Sequence, residues 1–423
     1  MRLTAQRFFQ LGVVEVRPAT KERAPWTAFV VAALCFTTLV GALTGALDLW
    51  TLRVLQTAVP EGHRTAHAIG QLFGFLWLLT LGVSLHLAPR FFAWRAPSKV
   101  TTRVLAWSGI GGALLLVIGR FGALVPGSQV LGPLGALGVL TAMSVWIWWL
   151  SRAWRSGIAP KEPLHFFVTA GAVWWSLAAL AMVVWSFLPA RVPLEAVWRA
   201  ALFGGVGSWL WGVFFRAGIC TLRVARASLR AQRTLFIAWQ VACVFAVSAV
   251  FVDVLTPVAG LALGVACALV WWLVRPFSGQ SVAALGALQP RAIQAGLVFL
   301  LVFGGLQVWI AARSLGAWSP ALLDDAARHA FTLGAASLLA FGFAGRMVPG
   351  FAGVQLQWPR VYDAGVFALA LGATGRLAEL SSSRLAQSVA GASGGLAFAG
   401  VALCAAALLK SVAVGGRADA QRE

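Results

Sequence analysis

The sequence predicts an all-α, polytopic membrane protein of about twelve transmembrane helices, and three observations carry that expectation. Of its 423 residues, 60% are hydrophobic and only 11% are charged, where a soluble domain carries about a quarter charged residues. Mean hydropathy is +0.83, and the apolar residues gather in runs near the ~20 residues a helix needs to cross the hydrocarbon core. These runs are rich in Leu, Ala and Val and lack the alternation of a barrel strand, which leaves helices as the spanning structure. The 45 glycines and 21 tryptophans, several of the latter near run ends, fit bilayer helices as well.

In order, the first span covers 26–48 and follows a basic tail, "MRLTAQRFFQLGVVEVRPATKERAPW". It is too long for the apolar core of a signal peptide and is expected to stay as a helix. The second, 66–89, opens in a histidine-bearing phrase and ends at the basic loop "RFFAWRAPSKVTTR". The third and fourth, 104–124 and 131–151, lead to "RAWRSGIAPKEP". The fifth and sixth, 165–188 and 197–220, lead to "RVARASLRAQR". Spans at 234–255, 258–276, 291–313, 327–349, 361–380 and 385–410 complete the series. No long linker interrupts it, so 26–412 reads as one transmembrane domain between an N-terminal tail (1–25) and a C-terminal tail (413–423).

The formal charge of +20 is distributed as a membrane protein distributes it. Of 33 Lys and Arg, 24 fall in the N-terminal tail, the loops after even-numbered spans and the C-terminal tail. Eight fall on the other side, and Arg120 lies inside a span. The bias puts both termini in the cytoplasm and makes the even loops anionic-lipid anchors. It does not call for nucleic acid. Cys35, Cys220, Cys243, Cys267 and Cys404 lie in or at the edge of apolar spans without paired spacing, and read as small buried hydrophobes.

An internal repeat underlies the twelve spans. "QLFGFLWLLTLGVSLH", "ALFGGVGSWLWGVFFR" and "FTLGAASLLAFGFAGR" each place Gly, seven residues, Gly, three residues and a basic group. The matches are Gly74/Gly204/Gly334, Gly82/Gly212/Gly342 and His86/Arg216/Arg346, offset by 130 residues both times. They fall in spans 2, 6 and 10 and make the chain three four-helix units. Two glycines eight apart lie near one helix face and let another helix or a flat cofactor approach the backbone.

The chemistry-bearing candidates are histidines. In the topology above, His67 lies at the outer end of span 2 and His329 at the same end of span 10. Two imidazoles facing each other across a bundle are candidate axial ligands for one haem iron, with Gly74 and Gly334 making room for the ring. Arg64 and Arg328 beside them are candidate partners of the propionates. The alternative is that each histidine is an interfacial residue hydrogen-bonded to a loop. His63 and His67, four apart on one face, are also a candidate copper or zinc pair, with Glu61 nearby. His86 is either a ligand or, like its Arg counterparts, an anchor at the cytoplasmic rim, and His165 reads as structural. Asp48, Asp253, Asp363 and Glu379 sit near span ends and none sits mid-span, which weighs against an ion-coupled carrier. Arg120 and Arg376 close similar phrases, "VIGR" and "ATGR", either snorkelling to headgroups or binding an anionic group. No Walker loop, GxSxG or HExxH is present.

These phrases resemble the NnrS family of bacterial membrane proteins: "HAIGQLFGF" on the second span, "IGR" (Gly119–Arg120) ending the third, and "HAFTLGA" running on to "GRMVPG" on the tenth. The resemblance implies a haem- and copper-associated protein of the bacterial inner membrane, tied to nitric oxide and nitrosative stress or to electron transfer. It keeps His67 and His329 as ligand candidates, with His63 and His86 as weaker ones. Where the family shows "HAHE" this chain has "HRTAHAIG", and where it shows "GHTGRP" this chain has "GFAGVQLQWP". A more distant likeness is to the catalytic subunit of haem–copper oxidases, similar in its twelve helices in three arcs with low-spin haem ligands on helices 2 and 10. With five histidines, and none on span 7, the chain lacks the inventory of an oxygen-reducing binuclear centre. Two further readings stand beside the haem protein: a solute carrier using Arg120, Arg216 and Arg346, and a haem-free membrane scaffold.

Overall fold

The computed structural model describes residues 24–121, 128–279, 289–315 and 321–421, so most of the basic N-terminal tail lies outside it. Its elements are α1 (Thr27–Arg53), α2 (Glu61–Phe92), α3 (Lys99–Ile118), α4 (Ser128–Ser156), α5 (Pro163–Phe187) and α6 (Leu194–Leu222), followed by α7 (Leu229–Ser248), α8 (Asp253–Val274), α9 (Gln289–Ser314), α10 (Leu323–Phe351), α11 (Pro359–Arg376) and α12 (Arg384–Gln421). No strand occurs among the described residues. All but α11 are long and apolar enough to cross a bilayer by the same measure. That helix carries Arg360, Asp363 and Arg376 within 18 residues. It packs lengthwise on α12, where Gly365, Gly372 and Gly375 face Cys404, Ala397 and Ser393. The expected C-terminal tail is helical to Gln421 as a continuation of α12.

The repeat is written into the backbone as well as the sequence. α2, α6 and α10 each contain a wide π-helical stretch, at Gly70–Trp77, Ala200–Gly207 and Ala330–Ser337, again offset by 130 residues. Left-handed residues terminate all three helices at Ala93, Arg223 and Gly353, and α3, α7 and α11 restart at Lys99, Leu229 and Pro359. Ser98 and Ser228 cap two of those restarts by accepting the amides of Thr101 and Ala231. A left-handed residue suits glycine and costs an L-residue about 1–2 kcal/mol. Ala93→Gly is therefore expected to raise stability by about 1 kcal/mol, read as a higher unfolding temperature in detergent, and an unchanged or lower one would contradict the argument.

Burial separates two classes of helix. In their most apolar stretches α2, α6 and α10 are 83, 83 and 78% buried, against 33–50% for the other spans. These three are the inner helices, and the matched glycines dock each onto its predecessor. Gly74 lies under Phe36 of α1, Gly204 under Trp174 of α5 and Gly334 under Phe299 of α9, while Gly82, Gly212 and Gly342 meet Phe29, Phe167 and Ile293. Aromatic rings join the inner helices: Phe75 stacks on Phe341 at 5.6 Å, Phe203 meets Phe331 edge-on at 5.3 Å, and Phe214 meets Phe343 at 6.1 Å. Trp209 Nε1 donates to Ser84 Oγ across α6 and α2 at 2.7 Å, satisfying both buried groups.

Candidate functional site

The end of the bundle away from the described chain termini gathers charge on the seam where the third unit closes on the first. Four elements contribute: α1 with Asp48 and Arg53, α2 with His63 and His67, α10 with Asp325 and His329, and the end of α11 with Arg376 and, in the turn after it, Glu379. His67 and His329 come from distant parts of the sequence, and His67 acts electrostatically on the His329 imidazole, with Asp325 and Arg376 acting on both.

Local structure aims each imidazole. In α1 the stretch Phe36–Ala42 is π-helical, where amide bonding shifts from the i+4 to the i+5 position. The Gly41 carbonyl there takes the Nδ1–H of His67 at 2.8 Å. Gly45, one turn on, lets the ring lie against the α1 backbone, because a Cβ at that position would strike it. On α10 the Nδ1–H of His329 goes to the Asp325 carbonyl one turn back, at 2.9 Å, with the Asp325 carboxylate 3.5 Å away. Both rings are thus held through Nδ1 by backbone carbonyls, the arrangement that fixes the tautomer and leaves the lone pair on Nε2. Arg376 is 3.4 Å from both ring nitrogens of His329. With Nδ1 protonated only Nε2 has a lone pair, and a donor equidistant from both nitrogens is not aligned with it.

Around the imidazoles runs an ionic network. Arg376 bonds Glu379 through Nη1 and Asp325 through Nη2, the latter at 3.2 Å. Arg53 reaches the same Glu379 oxygen from α1, with Nη2 at 3.0 Å and Nε at 3.1 Å. Oε2 of Glu379 is buried without a hydrogen-bond partner. Burial pushes the Glu379 carboxyl above its ordinary range, Arg376 pulls it back, Asp325 adds to the rise and Arg53 opposes it. Ligand atoms of Asp325, His329 and Glu379 lie within 4.8 Å of one another and form a set able to hold a metal ion. The guanidinium of Arg376 binds both carboxylates of that set.

The other residues singled out from sequence divide clearly. His63 turns to Asp48, Nδ1 to Oδ1 at 3.6 Å, with Phe121 edge-on at 5.2 Å, and both His63 and His67 act on that carboxylate. Arg64 is exposed on the outer face of α2 but also acts on Asp48. Arg328 is drawn off to Glu195 of α6 at 3.2 Å, away from the two histidines. Gly74 and Gly334 are covered by the rings of Phe36 and Phe299, so it is a neighbouring helix that approaches there. His86 sits at the opposite end of α2, stacked on Phe351 at 3.8 Å and edge-on to Trp26. His165 is buried at the start of α5, its Nδ1 accepting the Glu162 amide at 3.0 Å and its Nε2–H donating to the Phe91 carbonyl at 2.7 Å, a structural role. Arg120 lies over the Trp185 ring at 4.0 Å. Arg216 and Arg346, the intramembrane cations of the carrier reading, are exposed.

Sequence gives Asp325 and Arg53 no site role and reads Arg376 only as a snorkelling or anion-binding residue; two spacings mark Asp325 and Arg376, since Asp325–His329 is an i, i+4 pair and Arg376–Glu379 an i, i+3 pair. What the sequence does not show is that α1, α10 and α11 bring these faces together. Compared with known proteins, the chain matches no family model and no characterised relative.

Proposed function

We propose that this chain is an NnrS-like, haem-binding protein of the bacterial inner membrane, with His67 and His329 as the residues that would hold one haem and a role in nitric oxide handling or electron transfer. The observation that carries the reading is the pairing of these two imidazoles, from α2 and α10, each with Nδ1 committed to a backbone carbonyl. The donor chemistry fits a low-spin iron, since two neutral imidazoles with anchored Nδ1 are strong nitrogen ligands. When bound, the haem would supply one-electron chemistry and an affinity for small diatomic ligands.

The protein's own residues have defined tasks in this reading. The Gly41 and Asp325 carbonyls hold the two ring orientations. Arg53 and Arg376, with Arg64 at the rim, supply positive charge for propionates. Asp325 and Glu379 keep those guanidinium groups in place. The aromatic core of the inner helices would keep water from a bound haem and so raise the weight of the nearby charges.

The test is a reduced-minus-oxidised visible spectrum of the purified protein, repeated for His67→Ala and His329→Ala. Sharp α and β bands that both variants abolish, with His86→Ala unchanged, are expected. A colourless protein from a haem-replete host, or bands indifferent to both substitutions, would overturn the assignment.

A further inference from the structure

A second site lies on the next seam of the repeat. Glu195 and Arg199 on α6 stand 130 residues before Asp325 and His329 on α10, the same i, i+4 positions in successive units. Where the third unit meets the first, this position is filled by Arg53, Arg376 and Glu379. Where the second meets the third, between α6, α7, α8, α9 and α10, it opens into a cavity of about 300 Å³. That volume is at the lower end of small-molecule pockets. Its apolar lining includes Trp198, Phe203 and Leu263, and its polar lining is Glu195, Arg199, Asp253, Thr256, Gln307, Asp324 and Arg328.

The charges there are unevenly satisfied. Glu195 bridges both cations, Oε1 to Arg199 Nε at 3.0 Å and Oε2 to Arg328 Nη2 at 3.2 Å. Arg199 also donates to the Ala246 carbonyl at 3.0 Å. Each guanidinium therefore has a carboxylate partner. Asp324 is partly buried at the cavity wall, feels Arg199 and Arg328 only at longer range, and has no hydrogen bond or ion pair of its own among the described residues. Asp253 at the mouth is exposed and likewise without one. Three carboxylates against two guanidiniums give the cavity a formal excess of one negative charge, and Asp324, partly buried at its wall, is free to accept a donor from a ligand.

We propose that this cavity binds a small organic ammonium ion, its charge on Asp324 and its apolar body against Trp198, Phe203 and Leu263. The aromatic faces add cation–π attraction to the ion pair. The ammonium group is carried either by a soluble amine or by the headgroup of phosphatidylethanolamine, and the chemistry recognised is the same. The site is separate from the paired histidines and does not depend on the haem reading.

The experiment is calorimetric titration of the full-length, delipidated protein in detergent with 2-phenylethylamine at pH 7, against 2-phenylethanol as the uncharged analogue. Saturable binding of the amine and at least tenfold weaker binding of the alcohol are expected. Asp324→Asn should weaken amine binding at least tenfold, and Ala259→Leu, which narrows the cavity from α8 without touching a charge, should weaken it as well. Repeating the titration in phosphatidylglycerol nanodiscs with and without phosphatidylethanolamine identifies the source: competition assigns the site to the lipid, and its absence to a soluble amine. Equal binding of alcohol and amine, indifference to Asp324→Asn in a variant that still unfolds cooperatively, or no binding by the wild type would each overturn the proposal.

Discussion

Arg376→Ala is expected to lower the stability of the folded chain by about 3–5 kcal/mol, the cost of removing one partner from a buried ionic network. Arg376 is the only guanidinium bonded to both Asp325 and Glu379 among the described residues. Without it, Asp325 loses its only ion pair to an arginine, and Glu379 keeps Arg53 alone. The loss should depend on pH, and its sign follows from Glu379. Burial raises that carboxyl, so the native state holds its proton to higher pH than the unfolded chain does. A carboxyl raised in the native state costs stability as pH climbs from the ordinary carboxylate range through its raised value, because there the unfolded state binds fewer protons than the native one. Removing Arg376 takes away the largest opposing pull and widens that window upward. The variant should therefore be closer to wild type near pH 5 than near pH 8, with Arg53, Asp325 and His329 as the other charged or titratable groups facing Glu379. Thermal unfolding in detergent at the two pH values measures this. Pairing the change with Glu379→Gln should recover part of the loss at pH 8. A deficit that is the same at both pH values and in the double variant would mean that Arg376 acts through packing alone.

The physical reason this network escaped the sequence reading is instructive beside what did not escape it. Spans show in a sequence because each is a local excess of apolar residues: the expected 66–89 and 197–220 lie within α2 and α6 with ends a few residues short, and 165–188 matches α5 to within two residues at either end. The ends fall short because the polar first turns, such as "EGHRTAH" in α2, are helical too. The repeat was legible because the same glycines recur at a fixed offset, and the π-helical stretches then recur at that offset in the backbone. Polar residues near span ends carry no such signal. Asp325 and Glu379 read as ordinary interfacial acids until α1 and α11 close over α10. Arg328 shows the converse: it adjoins His329 in sequence, yet one residue along a helix turns the side chain by about 100°, and it faces Glu195 across the neighbouring seam. Sequence adjacency to a candidate ligand therefore said little about membership of its site, whereas i, i+4 spacing said a good deal.

The second large effect concerns two adjacent glycines on α3 that differ only in what they face. A Cβ added at Gly112 would lie 2.7 Å from the amide nitrogen of Val139 and 2.9 Å from the carbonyl oxygen of Gly135, both backbone atoms of α4. Ordinary contacts are about 3.5–4.0 Å, and a helix backbone has no rotamer with which to step aside. One methyl there must push α3 and α4 apart along the face where Gly135 and Gly138 return the same contact. In a bilayer such close approach is a main source of helix association, because burial of apolar surface adds little between helices already in lipid. Gly112→Ala is accordingly expected to destabilise by about 1–3 kcal/mol. Gly111 has nothing within 4 Å of its would-be Cβ. Gly111→Ala relieves only the conformational freedom of glycine and is expected to stabilise by about 0.5–1 kcal/mol. The two variants carry the same chemical change at neighbouring positions, so differences in expression, detergent or net charge cancel between them. Unfolding temperatures shifted in opposite directions would tie the α3–α4 hairpin to backbone contact, and shifts of the same sign and size would show that the hairpin is held by something other than its glycines.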